Sequence, residues 1–247
     1  MFGFLLAYSY LCKLKQKEAM KKVFLSYGTA YLMLLALMLG LLYAYPKIVL
    51  HLMLNAHHTG IQDTFFKYYS ILAEWPLYVL SALPLCWKKY RVTLFFALSE
   101  LSAAVVVQVL KHLFSAPRPI VVFENYPDLT LPLVEGVSLH HSNSFPSGHT
   151  STFFVFFTCC ALLFAYRYWQ RVGKGNGRTW VVFIVGQLGL LMLAALGGYS
   201  RIYLSQHFLM DVCVGSIIGF VMPCLFFFLG REKILKLKSL DNESTVA

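Results

Sequence analysis

Six largely uncharged apolar runs take up close to half of this sequence, and no soluble core of this size could bury them all. They are Val23 to Tyr45, Tyr68 to Trp87, Val92 to Leu110, Thr150 to Tyr166, Thr179 to Tyr199 and Val212 to Gly230. Only Glu74 and Glu100 place an acid inside any of them, and no base falls within one. A bilayer's hydrocarbon core takes about 20 apolar residues per helix, which each run meets or nearly meets. An open strand in hydrocarbon would leave its backbone groups unpaired, so lipid selects helices where hydrophobic periodicity alone cannot. The expected fold is therefore an all-α integral membrane protein, a six-transmembrane-helix bundle. A hydrophobic content of 58% and a mean hydropathy of +0.64 exclude an ordinary soluble domain.

The charges orient the bundle. Of the 21 lysines and arginines, all but Lys47, Lys67, Lys111, Arg118 and Arg201 fall in four segments that share one side of the membrane: the stretch ending at Lys22, 88–91, 167–178 and 231–238. By the positive-inside rule that side is cytoplasmic, together with both termini. The chain then divides into an N-terminal cytoplasmic or interfacial segment (1–22), a six-helix membrane domain (23–230) with a long outward loop (115–148), and a cytoplasmic tail (231–247). The net charge of +10 reports this topology; no separate basic domain exists to hold nucleic acid. The cysteines, at 12, 86, 159, 160, 213 and 224, avoid the outward loops and form no CxxC, so neither a disulfide framework nor a thiolate metal site is expected. The apolar stretch "MFGFLLAYSYLC" precedes its lysines, the reverse of a signal peptide's order. It reads either as an interfacial helix or as sequence upstream of a start at Met20.

The outward side holds 46–67, 111–149 and 200–207, and its middle segment is longer than ordinary connections. Polar chemistry gathers there. In "SRIYLSQHFLMD" (200–211), His207 and Asp211 are spaced to share one helical face, where the carboxylate would accept the imidazole's Nδ1–H. Continuing by fours reaches Gly215 and Gly219, a GxxxG ridge suited to close helix approach. In "PSGH" (146–149), Ser147 and Gly148 open a helix whose free N–H groups favour an anion, with His149 in its first turn. In "KHLFSAPRP" (111–119), Lys111 ends a span and Arg118 sits between two prolines. Each element has a plainer explanation. A lone His–Asp pair is more often a core histidine with a capping aspartate, a serine before a helix is a common N-cap, and bases at a membrane boundary snorkel. Their convergence carries the argument: three of the five outward bases, Lys111, Arg118 and Arg201, stand beside two histidines, in the manner of a phosphate clamp.

Together these residues resemble the three-part signature of the type 2 phosphatidic acid phosphatase and vanadium haloperoxidase superfamily, K-x6-RP, PSGH and SR-x5-H-x3-D. Lys111 to Arg118-Pro119, Pro146 to His149, and Ser200-Arg201 to His207 and Asp211 match it with no departure in spacing. The resemblance covers about 100 residues and implies roles. His207 would be the nucleophile, Asp211 its tuning carboxylate, and His149 the general acid and then base. Lys111, Arg118, Ser147, Gly148 and Arg201 would bind the phosphate. It implies no cofactor and no metal ion, since the cations supply the charge Mg²⁺ would bring. The implied substrate is a membrane lipid phosphate or diphosphate of the undecaprenyl diphosphate, lipid A, or phosphatidate and phosphatidylglycerophosphate types, in a bacterial inner membrane with the site facing outward. Loop residues Phe123, Glu124, Tyr126, Asp128, His140 and His141 are placed to cover a headgroup, and Glu74 to pair with a clamp base. Two other classes share parts of the pattern: a vanadate-dependent haloperoxidase, and a non-enzymatic transporter or receptor for a phosphorylated lipid. Monoester or diphosphate preference and oligomeric state are not legible.

Overall fold

The computed structural model describes residues 24–172 and 177–230, which are helical or irregular with no strand among them. A π-helical turn, Phe24–Gly28, leads into α1 (Thr29–Ala44), followed by α2 (Lys47–Leu54), α3 (Gly60–Ile71) and α4 (Pro76–Ala82). A 3₁₀ turn, Leu83–Trp87, precedes α5 (Tyr90–Phe114), and the short α6 (Pro119–Phe123) lies within the long loop. The chain ends in three long helices, α7 (Gly148–Val172), α8 (Gly177–Tyr203) and α9 (Leu209–Gly230). The basic segments 1–22 and 231–238, with Cys12 and Met20, lie outside the described residues.

Five stretches are long and apolar enough to cross a membrane: Ser26–Ala44, Tyr90–Phe123, Gly148–Tyr168, Trp180–Tyr203 and Leu209–Leu229. The sixth stretch expected, Tyr68 to Trp87, is not one continuous helix. Gly60–Ile71 (α3) and Pro76–Trp87 (α4 with the 3₁₀ turn after it) are apolar enough only together, as a pair bent by 48° at the break between them, and taken as one span they would make the sixth. Pro76 has no N–H to give the preceding turn, so the chain restarts there with proline at the first helical position. The pair also begins earlier than hydropathy suggests. The Oγ of Thr59 accepts the N–H of Gln62 at 3.2 Å and caps α3 at its start.

The bundle closes around α7, the most enclosed of the spans. Lipid tails are as apolar as leucine, so helices in a membrane are held by close packing and paired polar groups rather than by escape from water. The GxxxG ridge provides such packing. A Cβ at Gly215 would lie 2.5 Å from the carbonyl oxygen of Ser147, and one at Gly219 would lie 2.5 Å from that of Ser151. Only glycine lets α9 rest on the backbone of α7. On the other flank a Cβ at Gly197 would enter the ring of Phe153, which is fully buried. Buried tyrosines satisfy their polar tips within the bundle, Tyr27 on the Thr158 hydroxyl at 3.1 Å and Tyr31 on that of Ser216 at 3.2 Å. Tyr31 also stacks on Phe220 with ring centroids 4.3 Å apart, joining α1 to α9.

The long loop is tied back at several points rather than left loose. Ser144 donates its N–H to the carbonyl of Ala116 at 2.9 Å, and Arg118 donates its own to that of His141 at 3.2 Å. Gln206 Nε2 donates to the carbonyl of Ser138 at 3.1 Å, and Lys67 to that of Glu135 at 3.0 Å. Phe123 is buried, its ring 5.7 Å from that of His51, whereas Glu124, Tyr126 and Asp128 are exposed.

Candidate active site

The end of α5, the start of α7, the end of α8 and the start of α9 meet at one end of the bundle, and the long loop crosses over them. The connection from α8 to α9 shows how a spacing becomes a site. The carbonyl of Arg201 accepts the N–H groups of both Gln206 and His207, at 3.0 and 3.1 Å. Ser205 reverses the chain with a left-handed φ of 51°. Five intervening residues thus return His207 to the base of Arg201. His207 therefore precedes α9 instead of riding on it, a difference from the shared helical face expected with Asp211. Asp211 is in the first turn, where its Oδ2 accepts the N–H of Phe208 at 3.0 Å. That is the N-terminal cap of the plainer explanation, and the same oxygen also faces the imidazole.

His207 is 1% exposed, with Nδ1 3.4 Å from Asp211 Oδ2. The Ser144 hydroxyl donates to that oxygen at 2.5 Å and lies 3.4 Å from Nδ1. On the opposite side of the ring, Nε2 stands 3.4 Å from Arg118 Nη1. A guanidinium can only donate, so this pairing leaves Nε2 with its lone pair and Nδ1 with the proton. Burial pushes the His207 pKa down to about 3; the Asp211 hydrogen bond opposes that shift and Arg118 adds to it. Its ring is a neutral imidazole at neutral pH.

The cations surround this nitrogen. Arg118, 7% exposed, donates through Nη1 to the carbonyl and side-chain oxygens of Gln206, each at 3.2 Å, and through Nε to the carbonyl of Ser142 at 3.0 Å. Arg201 is equally buried; it donates to the Ser70 hydroxyl, and its Nε has no partner. Among the described residues neither guanidinium forms an ion pair. A buried cation without a counter-charge is costly, and an anion held between the two would satisfy it. Lys111, half-buried, points to the start of α7: a Cβ on Gly148 would lie 4.0 Å from its Nζ.

Ser147 links the two helix starts. Its hydroxyl accepts the N–H of Thr150 at 3.4 Å and the hydroxyl of Thr150 at 2.9 Å, while its own N–H donates to the Asp211 carbonyl at 3.0 Å. That amide is thus already in use, leaving the hydroxyl proton of Ser147 and the Gly148 end of the helix for an anion. His149, 30% exposed, interacts electrostatically with Arg201, His207, Arg118 and Lys111, which places it across the same pocket. Its Nε2 is 3.7 Å from Oε1 of Glu74, carried on the break between α3 and α4. Glu74 therefore meets a histidine, and it also acts electrostatically on Arg201, one of the clamp bases that sequence reasoning expected it to pair with. Burial and the nearby Arg118, Arg201 and Lys111 lower the pKa of His140, which puts that exposed loop residue beside the cations. Three contributors escaped the sequence: Ser144, Gln206 and Ser70. Ser144 and Gln206 lie in irregular backbone and Ser70 comes from a distant helix, so no periodicity marked them. Among the described residues, no group of three or more His, Cys, Asp or Glu side chains could hold a metal ion.

A family model described as the PAP2 superfamily matches residues 92–234. The bacitracin transport permease protein BcrC of Bacillus licheniformis is 31% identical over 170 residues, covering 66% of this chain and 70% of that protein. Among solved structures, Aquifex aeolicus LpxE is similar with a TM-score of 0.51 and 26% identity, over 74% of this chain and 95% of that one. A PAP2-type phosphatidylglycerolphosphate phosphatase from Bacillus subtilis aligns with a TM-score of 0.56 and 18% identity, over 84% of this chain and 97% of its own, and shares the fold. The chain belongs to the PAP2 superfamily.

Proposed function

We propose that this chain hydrolyses a lipid phosphate or diphosphate at the outer face of a bacterial inner membrane, through a phosphohistidine on His207 and without a metal ion. The observation that carries the reading is the unprotonated Nε2 of His207, backed by Asp211 and facing buried guanidiniums that form no ion pair among the described residues. Nε2 attacks phosphorus in line as the bond to the leaving oxygen breaks, and His149 gives that oxygen its proton. Asp211 holds the Nδ1 proton and stabilises the positive ring. Water then attacks the phosphorus, the P–N bond breaks, and His149 accepts the water's proton. Lys111, Arg118 and Arg201 stabilise the oxygens while charge redistributes, which is where such clamps act most strongly.

The substrate class follows from placement: the pocket lies at one end of an apolar bundle, where a headgroup sits while its tails stay in lipid. Undecaprenyl diphosphate, lipid A and phosphatidate or phosphatidylglycerophosphate all satisfy that chemistry. The orientation rests on the positive-inside count, with both termini in the cytoplasm. The name of the B. licheniformis relative speaks of transport. Transporters usually bind near the midplane, however, and the polar constellation here is confined to one end. The deciding assay is phosphate release by the detergent-solubilised protein from short-chain phosphatidate and from a polyprenyl diphosphate. Wild type should release phosphate and His207→Ala should not; equal release by both removes the enzyme reading, and no release by either favours carriage.

A further inference from the structure

A second polar cluster lies outside the pocket, behind the turn that carries His207. His58, in the link between α2 and α3, has Nδ1 2.8 Å from Asp63 Oδ1 and Nε2 2.8 Å from Asn55 Oδ1. Its ring stacks on Tyr203 with centroids 4.2 Å apart, and the Tyr203 hydroxyl donates to Asp63 Oδ1 at 2.6 Å. Asn55, fully buried, donates through Nδ2 to the Ser205 hydroxyl at 2.7 Å, which in turn donates to the carbonyl of Pro132 at 2.7 Å.

Counting protons along this chain orients its hydrogen bonds. The Ser205 hydroxyl has one proton, given to Pro132, so it can only accept from Asn55. Asn55 must then turn its amide nitrogen to Ser205 and its oxygen to His58. That oxygen needs a donor, which Nε2 of His58 supplies, while the other ring nitrogen meets Asp63, whose Oδ1 also accepts the Tyr203 hydroxyl.

We propose that His58, hydrogen-bonded at both ring nitrogens, is a positioning residue for the turn that presents Arg201 and His207. Ser205 is the hinge on which the argument rests. Its left-handed backbone, a conformation L-residues disfavour, makes the reversal that returns His207 to Arg201, and its side chain is the end of the network. Arg201 and His207 lie on either side of the braced stretch Tyr203–Ser205. The groups facing His58 are Asp63 on α3 and Tyr203 on α8. His51 on α2, its pKa pushed down to about 4 by burial, contacts the far end, 3.5 Å from the Ser205 hydroxyl. A misplacement of about 1 Å at reacting groups costs ~10²-fold in rate, so loss of the brace should reach kcat without touching a substrate contact.

This inference rests on the phosphatase reading above, and the tests separate the two. In ¹⁵N-histidine-labelled protein, with His58 assigned through His58→Phe, Nε2 should show the signature of a nitrogen that donates its proton to Asn55. An unprotonated Nε2 overturns the proposal, whatever the variants do. With short-chain lipid phosphate, His58→Phe keeps the stacking on Tyr203 and donates nothing, while Asn55→Asp keeps the acceptor for His58 and removes the donor to Ser205. Each should lose about 10–100-fold in kcat with KM nearly unchanged. Wild-type kcat in either variant overturns the brace. Should His207→Ala turn over like wild type, the phosphatase site itself is misassigned, a failure distinct from any result at His58.

Discussion

As the proposed nucleophile, His207 has two jobs that pull in opposite directions, and its surroundings reconcile them. A nucleophilic nitrogen must be free of its proton, and the phosphorylated ring must tolerate positive charge. Burial keeps the free ring neutral, and Asp211 waits on Nδ1 for the charge to arrive. Asp211→Asn would keep the shape and remove that stabilisation, and a loss of about 10²–10⁴-fold in kcat is expected from a tuning partner of this kind; a change under tenfold would assign Asp211 to capping alone. The depressed pKa has a sign that can be checked. Between pH 6.5, where an ordinary histidine titrates, and about 3, the unfolded chain binds a proton that folded His207 refuses. Its contribution therefore lowers stability as pH falls through that window and is flat above it. NMR of the labelled ring should show no protonation of His207 down to pH 5; a midpoint near the usual value would contradict its burial as the controlling cause.

At the scale of elements, α7 and α9 hold the site through their contact, since Ser147 and Asp211 bridge the two helix starts just above the Gly215 and Gly219 ridge. Adding a methyl group at either glycine meets backbone oxygen, which cannot rotate away. Gly215→Ala should cost about 1–3 kcal/mol and lower the melting temperature in detergent. Unchanged melting would mean that the helices do not pack there. Much of this level was legible. The three motifs stood out because ionisable residues are rare against an apolar background, and the GxxxG period survives any small error in helix ends. What was not legible has a physical reason in each case. The bent α3–α4 pair was hidden because hydropathy averaged across its break, and its start lay among polar residues held by the Thr59 cap. The position of His207 ahead of α9 was hidden because a spacing of four reads alike on a helix and on a turn entering one. Ser144 and Gln206 act from irregular segments, where no period selects a side chain.

For the whole molecule, charge is used twice. Most bases lie in segments read as cytoplasmic, and the few that do not include the three gathered at the pocket. Placing a charge at mid-bilayer costs about 2.5–3.5 kcal/mol on insertion scales and less at the boundary, so an end-on site limits that expense. A cysteine introduced into 120–145 should label with an impermeant thiol reagent added outside; labelling only after permeabilisation would reverse the proposed orientation. Because the clamp supplies its own positive charge, turnover should survive EDTA, and loss of activity restored by added metal would contradict the scheme. The most direct test of the central claim is to quench the protein during turnover of a ³²P-labelled lipid phosphate and map the label by peptide. The account predicts phosphate on His207, absent from His207→Ala. An unlabelled His207 in a protein trapped at full activity, or label on another residue with the variant still active, would contradict it.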